Sequence, residues 1–210
     1  MARHRKKIID LASAIVVLTL VMLDITLWMD IFIARRQGSA GGNTSAPRVY
    51  ALPVPHASST LLVLPGGAMV LTNAGSDATI VGDLQKLLLA GAPSYIDLAI
   101  IAAPQIADYG GYQYLLAHYN VGAFIYNGRA DAAYKTEWTQ LVNAIAAKHI
   151  PLITLGAGDC VHFGGAGGVA HSEIDILSPD AASARSPNAS DTAITQRVIT
   201  PGAGVVLYNK

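Results

Sequence analysis

Two short stretches of this chain gather residue types that could do chemistry. In the first, Ile96-Asp-Leu-Ala-Ile-Ile101 runs into Ala103-Pro104-Gln105-Ile106-Ala107-Asp108-Tyr109, and Gly110-Gly111 then opens a helix. Asp108 is the one carboxylate of that loop, a candidate metal ligand or general acid/base; alone at a loop–helix junction it reads as an N-cap for the helix at Gly110. In the second, Cys160-x-His162 follows Asp159, with His171 on the next strand. One residue of spacing puts Cys160 and His162 on the same face of a strand. The recognised zinc spacings are absent, so this stretch reads as a hairpin with a buried Cys and two surface His. The other histidines, His4, His56, His118 and His149, stand singly.

Other reactive patterns are missing. No G-x-S-x-G elbow supports a serine hydrolase. The glycines of Gly164–Gly168 lack the Lys-Ser/Thr of a phosphate loop and read as a turn. Asp191, between Ser190 and Thr192, suits a turn before a strand.

The elements that must position these residues follow from hydrophobic period. Arg48–Val54, Thr60–Leu64 and Ala68–Thr72 read as strands, the last two joined by Pro65-Gly66-Gly67. Asp77–Ala90 reads as a helix with Ile80, Val81, Leu84, Leu87 and Leu88 on one face and Gly91 ending it. Ile96–Ala102 is a strand, followed by a helix near Tyr112–Tyr119, a strand Ala123–Tyr126, a helix near Tyr134–His149 and a strand Pro151–Leu155. Short strands around Cys160–Phe163, Glu173–Leu177, Ala193–Val198 and Val205–Tyr208 complete the series, and Asp180–Ala189 reads as a surface loop. Antiparallel strands, then strand–helix alternation, then more strands indicate an α/β domain, layered in the α+β sense around a mixed sheet.

Ahead of that domain lies a different kind of segment. The chain has 210 residues, 52% hydrophobic and 13% charged, which fits an apolar anchor joined to a well-buried globular part. Leu11–Leu23 carries no charge, and Ile8–Ala34 is long enough for one membrane-spanning helix of about 20 apolar residues. Arg3, Arg5, Lys6 and Lys7 precede it and argue for a cytoplasmic N-terminus, with the globular domain periplasmic or extracellular. No A-x-A site follows closely, which favours an uncleaved anchor over a signal peptide. Asp24 within the span either pairs with a polar partner or slides with Asp30 towards the outer headgroups. Residues 1–36 are thus tip and anchor, 37–46 a Gly/Ser-rich linker, and 47–210 the folded domain.

Charge weighs against one partner class. Six Lys/Arg and three Asp fall in the first 36 residues, leaving eight Lys/Arg against eleven Asp/Glu, so the globular part is near −3. Nucleic-acid binding by this chain alone is disfavoured, because a phosphate surface needs clustered basic side chains.

The order of these motifs resembles the metallo-β-lactamase-like domain of ComEC-type competence proteins. In that superfamily a strand is followed by His-x-His-x-Asp-His and a Gly-Gly helix start; here those positions hold Ala103, Gln105, Ala107 and Asp108. The subfamily's Leu-Asp-Val-Gly-Gln-Gly-Asp-Ala corresponds to Leu52–Ser59, its Asp-Gly-Gly to Asn73-Ala74-Gly75, its Ile-Asp-Leu strand to Ile96-Asp97-Leu98, and its Leu-Ser-Pro to Leu177-Ser178-Pro179. Its late Asn-Asp-Asn-Ser corresponds to Ala189–Thr192. The resemblance covers roughly residues 48–210 and implies a partial αββα sandwich. It also implies a degenerate site: three of the four loop ligands are gone, and the sequence given ends at Tyr208-Asn209-Lys210, where the family's matching strand runs on into Thr-Gly-Asp. Either the sequence is a piece of a longer chain, or it is a half-sandwich whose inner sheet face must be covered by something else, which points to a homo-oligomer or a partner membrane protein. The resemblance therefore implies a non-catalytic scaffold or binding module, related to DNA uptake by kinship alone, with no cofactor and no bound metal. The competing expectations are a phosphodiesterase- or nuclease-type hydrolase completed by another chain, and a membrane-assembly component acting through Asp24.

Overall fold

The computed structural model describes residues 46–88, 94–164, 172–186, 190–200 and 203–207. The expected anchor, nearly all of the expected linker, Gly91, the glycines from Gly165 to Gly168, and His171 lie outside the described residues. Among the described residues, no helix is long and apolar enough to cross a membrane.

Among the described residues, ten strands form two sheets. In the first, β1 (Arg48–Leu52), β2 (Ser59–Val63) and β3 (Met69–Thr72) are antiparallel, and β4 (Tyr95–Ile101), β5 (Asn120–Tyr126) and β6 (Leu152–Thr154) continue parallel to β3, in the order β1-β2-β3-β4-β5-β6. The sheet is mixed, as expected. The crossovers are α1 (Thr79–Leu87), the pair α2 (Ile106–Tyr109) and α3 (Gly111–His118), and α4 (Lys135–Ala147). The second sheet is antiparallel in the order β10-β9-β8-β7, built from β7 (Cys160–Phe163), β8 (Ser172–Ser178), β9 (Thr195–Thr200) and β10 (Ala203–Leu207).

Side-chain alternation explains the layers. One face of the first sheet, with Leu61, Leu71, Ala99, Ile101 and Phe124, packs under the helices against Ile80, Leu84, Tyr112, Leu115, Trp138, Leu141 and Ile145. The neighbouring residues Leu62, Val70, Leu98, Ile100 and Ile125 point the other way and meet Ile174, Ile176, Ile194 and Val198 of the second sheet and its approach. Both faces of the central strands are buried, which is why Ile96–Ile101 reads as a nearly unbroken apolar run.

The expectation of an uncovered inner sheet face is corrected here. The chain covers that face itself: Ile174 and Ile176 are turned inward while Glu173 and Asp175 alternate outward. Among the described residues, the outer side of the second sheet carries Cys160, His162, Leu177, Arg197 and Ile199 exposed.

Candidate functional site

Three parallel strands end at one edge of the first sheet, the edge where such folds place their ligands. Asn73 follows β3, Ala102–Gln105 follows β4, and Asn127 follows β5. Asn73 holds this edge together. It is buried at φ 59°, a left-handed conformation that Asn tolerates better than most residues. Its backbone N–H donates to Ile100 O at 2.8 Å, and its carbonyl accepts from Ser59 Oγ at 2.9 Å. Its side-chain Oδ1 accepts from Ala102 N at 2.9 Å, while Nδ2 donates to Ser58 O at 3.2 Å and to Asp108 Oδ1 at 3.0 Å.

The loop beyond β4 is stitched to the same segment. Ala74 N donates to Asp108 O and Gly111 N to Gly75 O, each at 2.8 Å. Gly111 is required by this approach, since a Cβ there would lie 2.1 Å from Ala74 O. The helix start at Gly110-Gly111 is therefore a close-packing device.

Ala103 is buried and offers a methyl group; Gln105 is half-buried and extended at the head of α2; Ala107 is a half-buried methyl within α2. Asp108 lies inside α2 and does not cap the following helix: Gly110 already has helical backbone and no side chain caps α3. The expected N-cap role is thus replaced by a tertiary one, with the carboxylate turned to Asn73. Burial pushes the Asp108 carboxyl up to about 6. Burial also raises the hydroxyl of Tyr112, with Asp108 as the second cause; that hydroxyl lies 3.0 Å from Leu71 O and 2.9 Å from Ile100 O.

The rim is polar and tied down. Asn127 Nδ2 donates to Thr192 O at 2.8 Å, Arg129 Nη1 donates to Ser186 O, and Ser186 Oγ donates to Asp191 Oδ2 at 2.7 Å. Asp191 sits in a 3-10 turn, Ser190–Thr192, that leads towards β9, in keeping with its expected turn role. Deeper under α2, Tyr109 Oη donates to Asp131 Oδ2 at 3.0 Å. Chemically, this edge offers one carboxyl group with a raised pKa and a frame of amides. A mononuclear or binuclear hydrolytic metal needs several convergent imidazoles and carboxylates, which the loop does not supply.

The second stretch is arranged differently from the sequence expectation. Cys160 is exposed, contrary to the buried role expected of a lone cysteine. Cys160 and His162 share a strand face as spacing requires, with Sγ and Nε2 3.3 Å apart. Asp159 is not part of the group; its Oδ2 accepts from Gly156 N at 2.8 Å. The third member is Glu173, which pairs with His162 across the hairpin. Among the described residues, Cys160, His162 and Glu173 form a group of potential ligands whose donor atoms lie within 4.8 Å of one another. Desolvation by the strand surface, then the Glu173 and Asp175 carboxylates, push the Cys160 thiol up.

Asn73, matched in sequence only to the family's Asp-Gly-Gly, and Glu173, read only as the start of a strand, are the residues to which the sequence assigns no site role. Glu173 is accessible from hairpin symmetry, because pairing Phe163 with Ser172 places it opposite His162.

No protein-family model matches the chain, and no curated protein matches it. Among solved structures, a protein of Cronobacter sakazakii (Enterobacter sakazakii) described as a metallo-β-lactamase with a HARLDQ motif is similar at 18% identity and a TM-score of 0.48, over 76% of this chain and 57% of that one. A variant of the CmlA β-hydroxylase is similar at 12% identity and a TM-score of 0.46, over 77% of this chain and 30% of that one. The chain thus spans less than two thirds of either structure. Both similarities are too distant to place it in either protein's family.

Proposed function

We propose that this chain carries a degenerate metallo-β-lactamase-like domain that has no hydrolytic role and works as a binding module or scaffold, displayed outside the membrane by the N-terminal anchor. The reading rests on the ordered sequence resemblance over residues 48–210 together with the state of the loop after β4. One observation carries it. Of the four positions where the resemblance expects ligands, only Asp108 bears a ligand-type side chain suited to a hydrolytic metal, and its carboxylate is held by the buried amide of Asn73. Ala103 and Ala107 supply methyl groups.

A second copy or a membrane partner belongs to this reading. Leu177 and Ile199, both large and exposed on the outer face of the second sheet, are the apolar contacts such a partner would take. Kinship with DNA-uptake proteins is an implication of the resemblance and adds no residue to the site.

The test is hydrolysis by the full chain, purified in detergent, of a phosphodiester and a β-lactam chromogenic substrate with added zinc or manganese. The expected result is turnover no higher than that of Asp108→Ala. Metal-dependent turnover that Asp108→Ala abolishes would overturn the reading in favour of a hydrolase.

A further inference from the structure

The outer face of the second sheet carries donors of three kinds on two adjacent strands. Cys160 and His162 alternate outward from β7, and Glu173 faces them from β8 in register with His162. The sulfur and the imidazole Nε2 are 3.3 Å apart, and all three donor atoms fall within 4.8 Å of one another. In a tetrahedral zinc site, bonds of about 2.0–2.3 Å put neighbouring donors roughly 3.5 Å apart. The spacing of the cluster is therefore close to that of donors sharing one ion.

Asp175, directly opposite Cys160, is a fourth candidate ligand. It is withheld, because Arg197 from β9 grips its Oδ2 with Nε at 2.9 Å and Nη2 at 2.5 Å. What remains is one thiol, one imidazole and one carboxylate with an open fourth position. A thiolate with an imidazole selects a zinc-class divalent ion over magnesium or calcium, which take oxygen donors.

We infer that Cys160, His162 and Glu173 form a surface binding site for one zinc-class divalent cation, with a fourth coordination position open to solvent or to a ligand. The site is separate from the loop after β4 and stands whether or not that loop is catalytic. Binding forms a metal–sulfur bond and releases the thiol proton to solvent; no redox change occurs.

The experiment uses the full chain under reducing conditions, titrated with cobalt(II) as a spectroscopic stand-in and with zinc in competition. The expected result is one equivalent of cobalt per chain with a thiolate-to-cobalt charge-transfer band. That band should be lost in Cys160→Ser. Binding should weaken at least tenfold in His162→Ala and Glu173→Gln, since even outer-sphere changes cost about 10–100-fold. All three positions are at the surface of the hairpin, and unchanged circular dichroism checks that the fold persists. Cobalt bound without a thiolate band, binding untouched by Cys160→Ser and His162→Ala, or half an equivalent per chain from a cation shared between two molecules would each overturn the single-chain site.

Discussion

Asn73 and Asp108, 35 residues apart in sequence, meet at 3.0 Å, and this contact joins the end of β3 to the helix that follows β4. The same Asn73 side chain also accepts from Ala102 N, so one buried amide fixes the ends of β3 and β4 and the loop between β4 and α3.

Removing that amide should loosen the whole edge. Asn73→Ala leaves the Ala102 N–H buried without its acceptor and places a β-carbon residue less tolerant of φ 59° in a left-handed position. An unmade buried hydrogen bond costs about 1–3 kcal/mol and the conformation adds to it, so the expected loss is about 3 kcal/mol in denaturant unfolding. A loss below about 1 kcal/mol would show that the clamp is dispensable.

Asp108 gives stability a pH dependence whose sign is set by its raised pKa. Its carboxyl titrates at about 6 in the folded chain and near its ordinary value when unfolded. Its contribution is therefore fully present below the unfolded pKa and is lost as pH rises through about 6. Asp108→Asn should abolish that slope and stabilise the domain at neutral pH by on the order of 2 kcal/mol, since a tenfold change in proton affinity corresponds to about 1.4 kcal/mol. Chemical unfolding of both proteins at pH 4.5 and pH 7.5 measures it; parallel pH profiles would contradict it.

Two glycines in helices should respond in opposite directions to alanine. Gly111→Ala would drive a Cβ to 2.1 Å from Ala74 O, a backbone atom that cannot turn aside, and should cost more than about 3 kcal/mol or prevent folding. Gly82→Ala, in α1, meets nothing within 4 Å and should stabilise by about 0.5–1 kcal/mol through helix propensity. Thermal unfolding midpoints distinguish the two.

The strands and main helices are legible because alternation and helical spacing are local signals: the expected strand Cys160–Phe163 is β7 residue for residue, and Ile80, Val81 and Leu84 are the buried face of α1. What is not legible is non-local. Nothing within β7, β8 and β9 taken separately tells that they form a second sheet closing the face containing Leu62 and Ile100. The single turn of α2 is too short to carry a period, so Asp108 reads from sequence as loop and cap. Cys160 departs from expectation because a lone cysteine is usually buried, whereas here its strand turns even-numbered side chains to solvent.

On the proposed reading, the loop after β4 holds no hydrolytic metal. The most direct measurement is metal content of the full-length double variant Cys160→Ser, His162→Ala, which removes the hairpin donors, by inductively coupled plasma mass spectrometry after equilibration with zinc and manganese. The account predicts no stoichiometric metal, because Asp108 stands without a second ligand at Ala103 or Ala107. A full equivalent retained by the double variant, and lost when Asp108→Asn is added, would contradict it.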